Sequence, residues 1–165
     1  MYESAFPLCE DWRADILAQM TADGRAAIPT SYSGVGTAAW DDVCGQLVVS
    51  PERVYRSVQF PLDAVEAENC YVGQVAVDLL CTLVRCVPVL DDLGRPPSPD
   101  ALSGAHRAIL EDAASIWRAV SQPLVDPEHE RASVTQLFVG GEGGAVGVET
   151  RWTIGLDAVD WCPAT

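Results

Sequence analysis

The chain has 165 residues, with 24 Asp and Glu against 10 basic residues that are all Arg, and a net charge of −14. That length reads as a single domain over 1–165 with room for a full core, and no apolar run approaches the roughly 20 residues a membrane-spanning helix needs. All four quarters of the sequence are net negative, so the charge belongs to a folded surface; it repels phosphates and, with no basic patch to oppose it, argues against specific binding of DNA or RNA. The plainer account of the same acidity is solubility.

Met1, Tyr2, Glu3 and Ser4 open the chain without a basic or an apolar leader segment, so residence in the cytoplasm where it is made is expected. Residues 4–23 predict the first helix, with Cys9, Trp12, Ile16, Leu17 and Met20 on one stripe, Ser4 as a cap, Pro7 in the first turn and Gly24 at the end. With its cap region this N-terminal helix occupies 1–24. The stretch 25–45, rich in small residues and turn formers, is expected to be a loop or arm, and 46–156 to be the core.

Two β-rich runs follow, Gln46–Ser50 and Arg53–Phe60, joined by Ser50, Pro51, Glu52 and Arg53 in what reads as a hairpin turn. Pro61 stops the second run. Residues 62–69 form an acidic loop carrying Asp63, Glu66 and Glu68, either a solvated connection or a contact loop presented to a neighbour. Gln74–Val89 is apolar on both faces and also admits a helix, but its β-branched content and closing Pro88 favour a central strand. Val75, Val77, Leu79, Cys81, Leu83 and Val87 then share one face, with Arg85 as the exception. One side of such a strand would meet helices and the other a partner.

After turn material over 91–100, Ser98 caps a helix with Pro99 at its first position and a stripe of Leu102, Ala105, Ile109, Ala113, Ile116, Trp117 and Val120. Residues 122–132 read as a polar loop. Val134–Val139 and the alternating run beyond it then form a hairpin closed by Gly140, Gly141, Glu142, Gly143 and Gly144. In that run Val146, Val148, Thr150, Trp152, Ile154 and Leu156 face one way, and Gly147, Glu149, Arg151 and Thr153 the other. The tail 157–165 carries Trp161, an apolar side chain that near a chain end usually docks on something. The fold class expected is α+β, an antiparallel sheet of about five strands with two main helices on one face.

Chemistry is sparsely encoded. The glycine-rich turn lacks a following Lys and precedes a strand, which fits neither a P-loop nor a dinucleotide site. His106 and His129 lie among charged neighbours as surface residues, and the carboxylate pairs Asp41 and Asp42, Asp91 and Asp92, Glu111 and Asp112 are adjacent in sequence, so each pair points in two directions. The six cysteines include no CxxC pair, so a zinc site is poorly supported and six reduced thiols are expected, unless an extracellular particle oxidises some of them. On a strand Cys81 and Cys86 would lie on opposite faces and could not pair with each other. No catalytic residue, cofactor or metal site is expected, and the chain is read as a non-enzyme.

Three segments carry a resemblance: Trp40-Asp41-Asp42-Val43-Cys44-Gly45-Gln46-Leu47; Val84-Arg85-Cys86-Val87-Pro88 with its Asp-rich, Gly-Arg-Pro-Pro-Ser turn; and the closing GGEGGAVGVETRWTIGL. Together, over roughly 40–156, they resemble the small neck proteins of long-tailed bacteriophages of actinobacteria, and among these most of all the tail terminators. The resemblance implies a structural virion protein made in the host cytoplasm and placed at the head-tail junction. It further implies an α+β subunit in a homohexameric ring, between the major tail tube protein and the head-side stopper. DNA would be met only in non-specific passage through the ring, where acidic side chains would keep it from adhering. The contacts expected with other subunits or partners are Pro51 and Glu52, Glu66 and Glu68, Glu142 and Gly143, and Trp161. Two other readings stand beside this one: a different head-to-tail connector nearer the portal, and a binding module or small enzyme outside the virion.

Overall fold

The computed structural model describes residues 5–36, 45–63, 72–121, 130–140 and 144–160. Within them lie two helices, α1 (Ala5–Ala22) and α2 (Pro99–Ser121), and five strands, β1 (Thr30–Ser33), β2 (Gln46–Ser57), β3 (Val72–Cys86), β4 (Glu130–Gly140) and β5 (Ala145–Asp160). One sheet holds all five in the order β1-β2-β3-β5-β4. The α+β class is as expected. The sheet is mixed, however: β1 runs parallel to β2, and the remaining neighbours are antiparallel.

The termini of both helices follow from local chemistry. Gly24 takes a φ of 67° and lets Arg25 N–H reach back to the Met20 carbonyl at 2.9 Å, the left-handed ending that a Cβ would oppose. Ser98 Oγ accepts from Ala101 N–H at 3.2 Å, capping α2 ahead of Pro99, whose missing N–H would have had no helical partner there.

Each helix buries a stripe on the same face of the sheet. From α1 come Ala5, Cys9, Trp12, Ile16 and Met20, and from α2 Ile109, Ala113, Ile116 and Val120. They meet Leu47 and Val49 of β2, the alternate residues Val75, Val77, Leu79, Cys81 and Leu83 of β3, and Val148, Trp152 and Ile154 of β5. The period-2 face expected for β5 is observed, and that for β3 from Val75 to Leu83, since register sets Leu79 against Trp152 and Val77 against Ile154; Val87 lies beyond the end of β3 at Cys86. At the centre the Trp12 and Trp152 rings meet edge to face, with centroids 5.3 Å apart and planes 66° apart, the geometry their quadrupoles favour. Trp117, placed on the buried stripe by the sequence pattern, is instead 42% exposed.

Two expectations in the first half are corrected. Residues 46–57 form one strand, not a hairpin: Pro51 and Glu52 sit at an irregularity where the pairing with β3 shifts between Pro51 and Arg53. The parallel partner β1 ends at the pair Ser33 and Val49. From Ser50 onward β2 is therefore a free edge among the described residues, where a proline without an N–H is tolerated. The loop read over 25–45 contains β1, four residues whose polar, small composition gives no alternation to detect.

The opposite face of the sheet is closed at one end by the chain after β2. The Phe60 ring lies where a Cβ on Gly155 would come within 3.1 Å of it, and the Tyr55 hydroxyl donates to the Pro61 carbonyl at 2.9 Å. Ala76, beside both Tyr55 and Gly155 in register, is fully buried. At the other end Gly144 has a φ of 88°, and any side chain there would run into Val89. Gly144 also accepts a hydrogen bond from Val87 N–H at 2.8 Å, which fastens the β4–β5 connection to the exit of β3.

Candidate functional site

Three arrangements of side chains stand out beyond the core. The first lies under the helices. Asp112, 1% exposed, accepts from Arg25 Nε through Oδ1 and from Arg85 Nε through Oδ2, both at 2.8 Å. The same two guanidinium groups donate to carbonyls: Arg85 to Ala26 and Ala27, Arg25 to Ala108. Arg25 also pairs with the half-exposed Glu111, and its own pKa is raised, first by the hydrogen bond to Asp112. One carboxylate thus ties α2, the exit of α1 and the end of β3 together. Every nitrogen of the two guanidinium groups donates to a protein acceptor, so this is a clamp rather than a receptor. Glu111 and Asp112 do point differently, as their adjacency implies, yet both reach Arg25. Nearby, Arg118 donates to Asp23 at 2.6 Å. That hydrogen bond leads the causes that hold the Asp23 carboxyl down at about 2. Being depressed, this group contributes stability above the ordinary carboxylate pKa that is lost as pH falls through the folded value.

The second arrangement is a charged cleft of about 330 Å³ on the sheet face away from the helices, at the β2 irregularity. Register there sets Arg53 beside Asp78 and Asp78 beside Thr153. Asp78 accepts from Arg53 Nε at 2.9 Å and from the Thr153 hydroxyl at 2.7 Å. Arg53 also pairs with Asp63 at 3.1 Å, its guanidinium 4.0 Å above the Tyr55 ring. Burial, followed by the Asp78 charge, raises the Tyr55 pKa. Arg151 bridges Glu52 and Glu149, each at 3.0 Å. In the cleft lining, Arg53 and Arg151 balance Glu52 and Asp78, and Asp63 and Glu149 add carboxylates to the same two arginines, so every guanidinium is already paired and none is left to draw in an anion. Among the described residues no group of His, Cys, Asp and Glu has the makings of a metal site.

The third is the sheet edge at β4. No described strand pairs with its outer side. Phe138, opposite Val148 on the helix side of the sheet, is 50% exposed, and on α2 Leu110 and Trp117 are 54% and 42% exposed; Leu137, opposite Glu149 on the far side of the sheet, is 57% exposed. Gln136 fixes the approach of the two elements, donating to the Ala113 carbonyl at 2.9 Å and to Thr150 Oγ1 at 3.0 Å. A largely apolar groove of about 270 Å³ runs along the seam, lined by His106, Leu110, Phe138 and Val139 among others. Helical geometry puts Ser103, His106, Leu110, Ala114, Trp117 and Ser121 on one outward stripe, all exposed. It holds no carboxylate, on a chain of net charge −14.

Of the contact residues expected from sequence, Pro51 and Glu52 lie within β2 rather than in a turn, and Glu52 is committed to Arg151. Glu66, Glu68, Glu142, Gly143 and Trp161 lie outside the described residues, as does His129; His106 is exposed at the α2 seam. The expectation of six reduced thiols is corrected: Cys86 is disulfide-bonded, while Cys9 and Cys81 are free and buried. Cys81 did not pair with Cys86, as their opposite faces required. Burial pushes the Cys9 thiol up to about 11 and the Cys81 thiol up to about 12. Both should therefore resist alkylation at neutral pH in the native protein and react once it is unfolded. Peptide mass spectrometry after native labelling checks this, and rapid modification of either cysteine would contradict it.

No protein-family model matches the chain, and no curated protein matches it.

Proposed function

We propose that the chain is a structural virion protein, a bacteriophage tail terminator whose copies form a ring, a hexamer by the resemblance, that caps the tail tube and joins it to the head-side neck. The observation that carries this reading is the apolar, carboxylate-free seam of α2 and β4 on an otherwise acidic subunit. Such a patch on a small domain suits a permanent protein neighbour better than solvent. The carboxylates gathered around the cleft on the far sheet face, Glu52, Asp63, Asp78 and Glu149, give the reading a second support. Carboxylates facing a central passage would keep phosphate from adhering to its wall. In this role the chain is no enzyme, and its partners are itself, the major tail tube protein and the head-side stopper.

The competing reading, a connector nearer the portal, differs in its neighbours. Pull-down of a tagged copy from phage-infected cells, at low and high salt, separates the two. Recovery of the tube protein together with a neck protein supports the terminator. Recovery of portal-proximal proteins without the tube favours the connector, and recovery of neither overturns both.

A further inference from the structure

We infer that subunits join by sheet continuation, the open β4 edge of one copy taking the β1 edge of the next. The inference rests on the ring reading above and specifies its interface. Three observations carry it.

First, β4 is an eleven-residue edge strand, and its part from Val134 to Gly140 has neither a charge nor a proline to block pairing, the devices that monomeric proteins use. Its outer backbone groups offer a row of donors and acceptors.

Second, the opposite edge of the same sheet, β1, is also unpaired on its outer side among the described residues, with Tyr32 39% exposed and Val35 88% exposed just beyond it. Strand directions make the two edges compatible. β1 runs with β2, and three successive antiparallel pairings carry the sense to β4, so β4 beside the β1 of a neighbour in the same orientation is an antiparallel junction. Two different edges meeting head to tail give a heterologous contact, which closes into a ring or extends into a filament.

Third, the helix layers would meet at the same junction. Arg13 of α1 donates to Ser31 Oγ on β1 at 3.2 Å, so the flank of α1 with Phe6, Glu10 and Leu17 overhangs the β1 edge. Phe6 is 44% exposed there. Against the carboxylate-free α2 stripe this flank supplies apolar surface and one carboxylate, where most of the chain's surface would supply several.

The test compares the wild type with Leu137→Lys and Phe138→Lys by sedimentation velocity over a wide concentration series, with amide exchange measured on whatever associates. Both side chains are half-exposed, so melting followed by circular dichroism should leave each variant folded. Tyr32→Lys, on the other edge, serves if one is not. Wild-type association with new exchange protection at both 30–33 and 134–140, weakened about tenfold or more by each lysine, is the expected result. A wild type that stays monomeric throughout, protection confined to other segments, or variants that associate like the wild type would each overturn the inference. Failure of the terminator reading itself appears separately, as loss of the tube protein from the pull-down.

Discussion

Replacing Asp112 with Ala is expected to destabilise the protein by about 3–5 kcal/mol, because it leaves two guanidinium groups without their shared carboxylate in a largely buried site. The side chains of Arg25 and Arg85 are 18% and 16% exposed, against 2% for Asp112. Water can therefore reach the arginines in part, which places the loss toward the lower end of that range. Asp112→Asn keeps the shape but not the charge, and one of its two acceptor positions becomes a donor facing a guanidinium. It should recover little of the loss. Combining Asp112→Ala with Arg85→Met should cost less than the two single changes added together, since each removes the other's partner. Urea unfolding midpoints measure all of these. A near-neutral Asp112→Ala would mean that the clamp contributes little to the fold.

Trp152→Ala should cost a comparable ~3–5 kcal/mol, by emptying the space between α1 and the centre of the sheet. Trp152 is 2% exposed and edge to face with Trp12, so the loss includes an aromatic contact besides buried area. Its indole N–H is buried without a hydrogen-bond partner. Trp152→Phe removes that unsatisfied donor along with some volume, and it should be distinctly milder than Trp152→Ala. Thermal unfolding of the two variants side by side checks the order. Equal losses would contradict it, because the larger Phe side chain would then have filled none of the space that Ala leaves.

What could be read in advance divides along physical lines. Alternation in β5 showed which residues face the core because one face of the strand is apolar apart from Thr150 and the other carries Glu149, Arg151 and Thr153. The ends of α1 and α2 were legible because Gly24, Ser98 and Pro99 act within a few residues of themselves. Pro51 misled because a proline between β-rich runs normally marks a turn. It is accommodated in β2 only because β1 stops at Ser33, and that depends on the pairing of distant segments. The Asp112 clamp was not legible, since its partners stand 87 and 27 residues away, and nothing local to Glu111 and Asp112 tells which of them will be buried. The α2 seam lay in view but was misassigned at Trp117: the hydrophobic pattern placed it with Ile116 on the core stripe, whereas the helix turns it outward beside Leu110. That outward turn exposes the surface on which the functional proposal depends.

The most direct test of the proposed role is to add purified chain to polymerising tail tube protein and follow tube length and tube ends by electron microscopy. A terminator stops elongation and leaves ring-shaped density on one end of each tube, and Phe138→Lys should weaken that capping if the β4 edge joins the subunits. Tubes that grow unchecked with bare ends in the presence of excess folded chain would contradict the account.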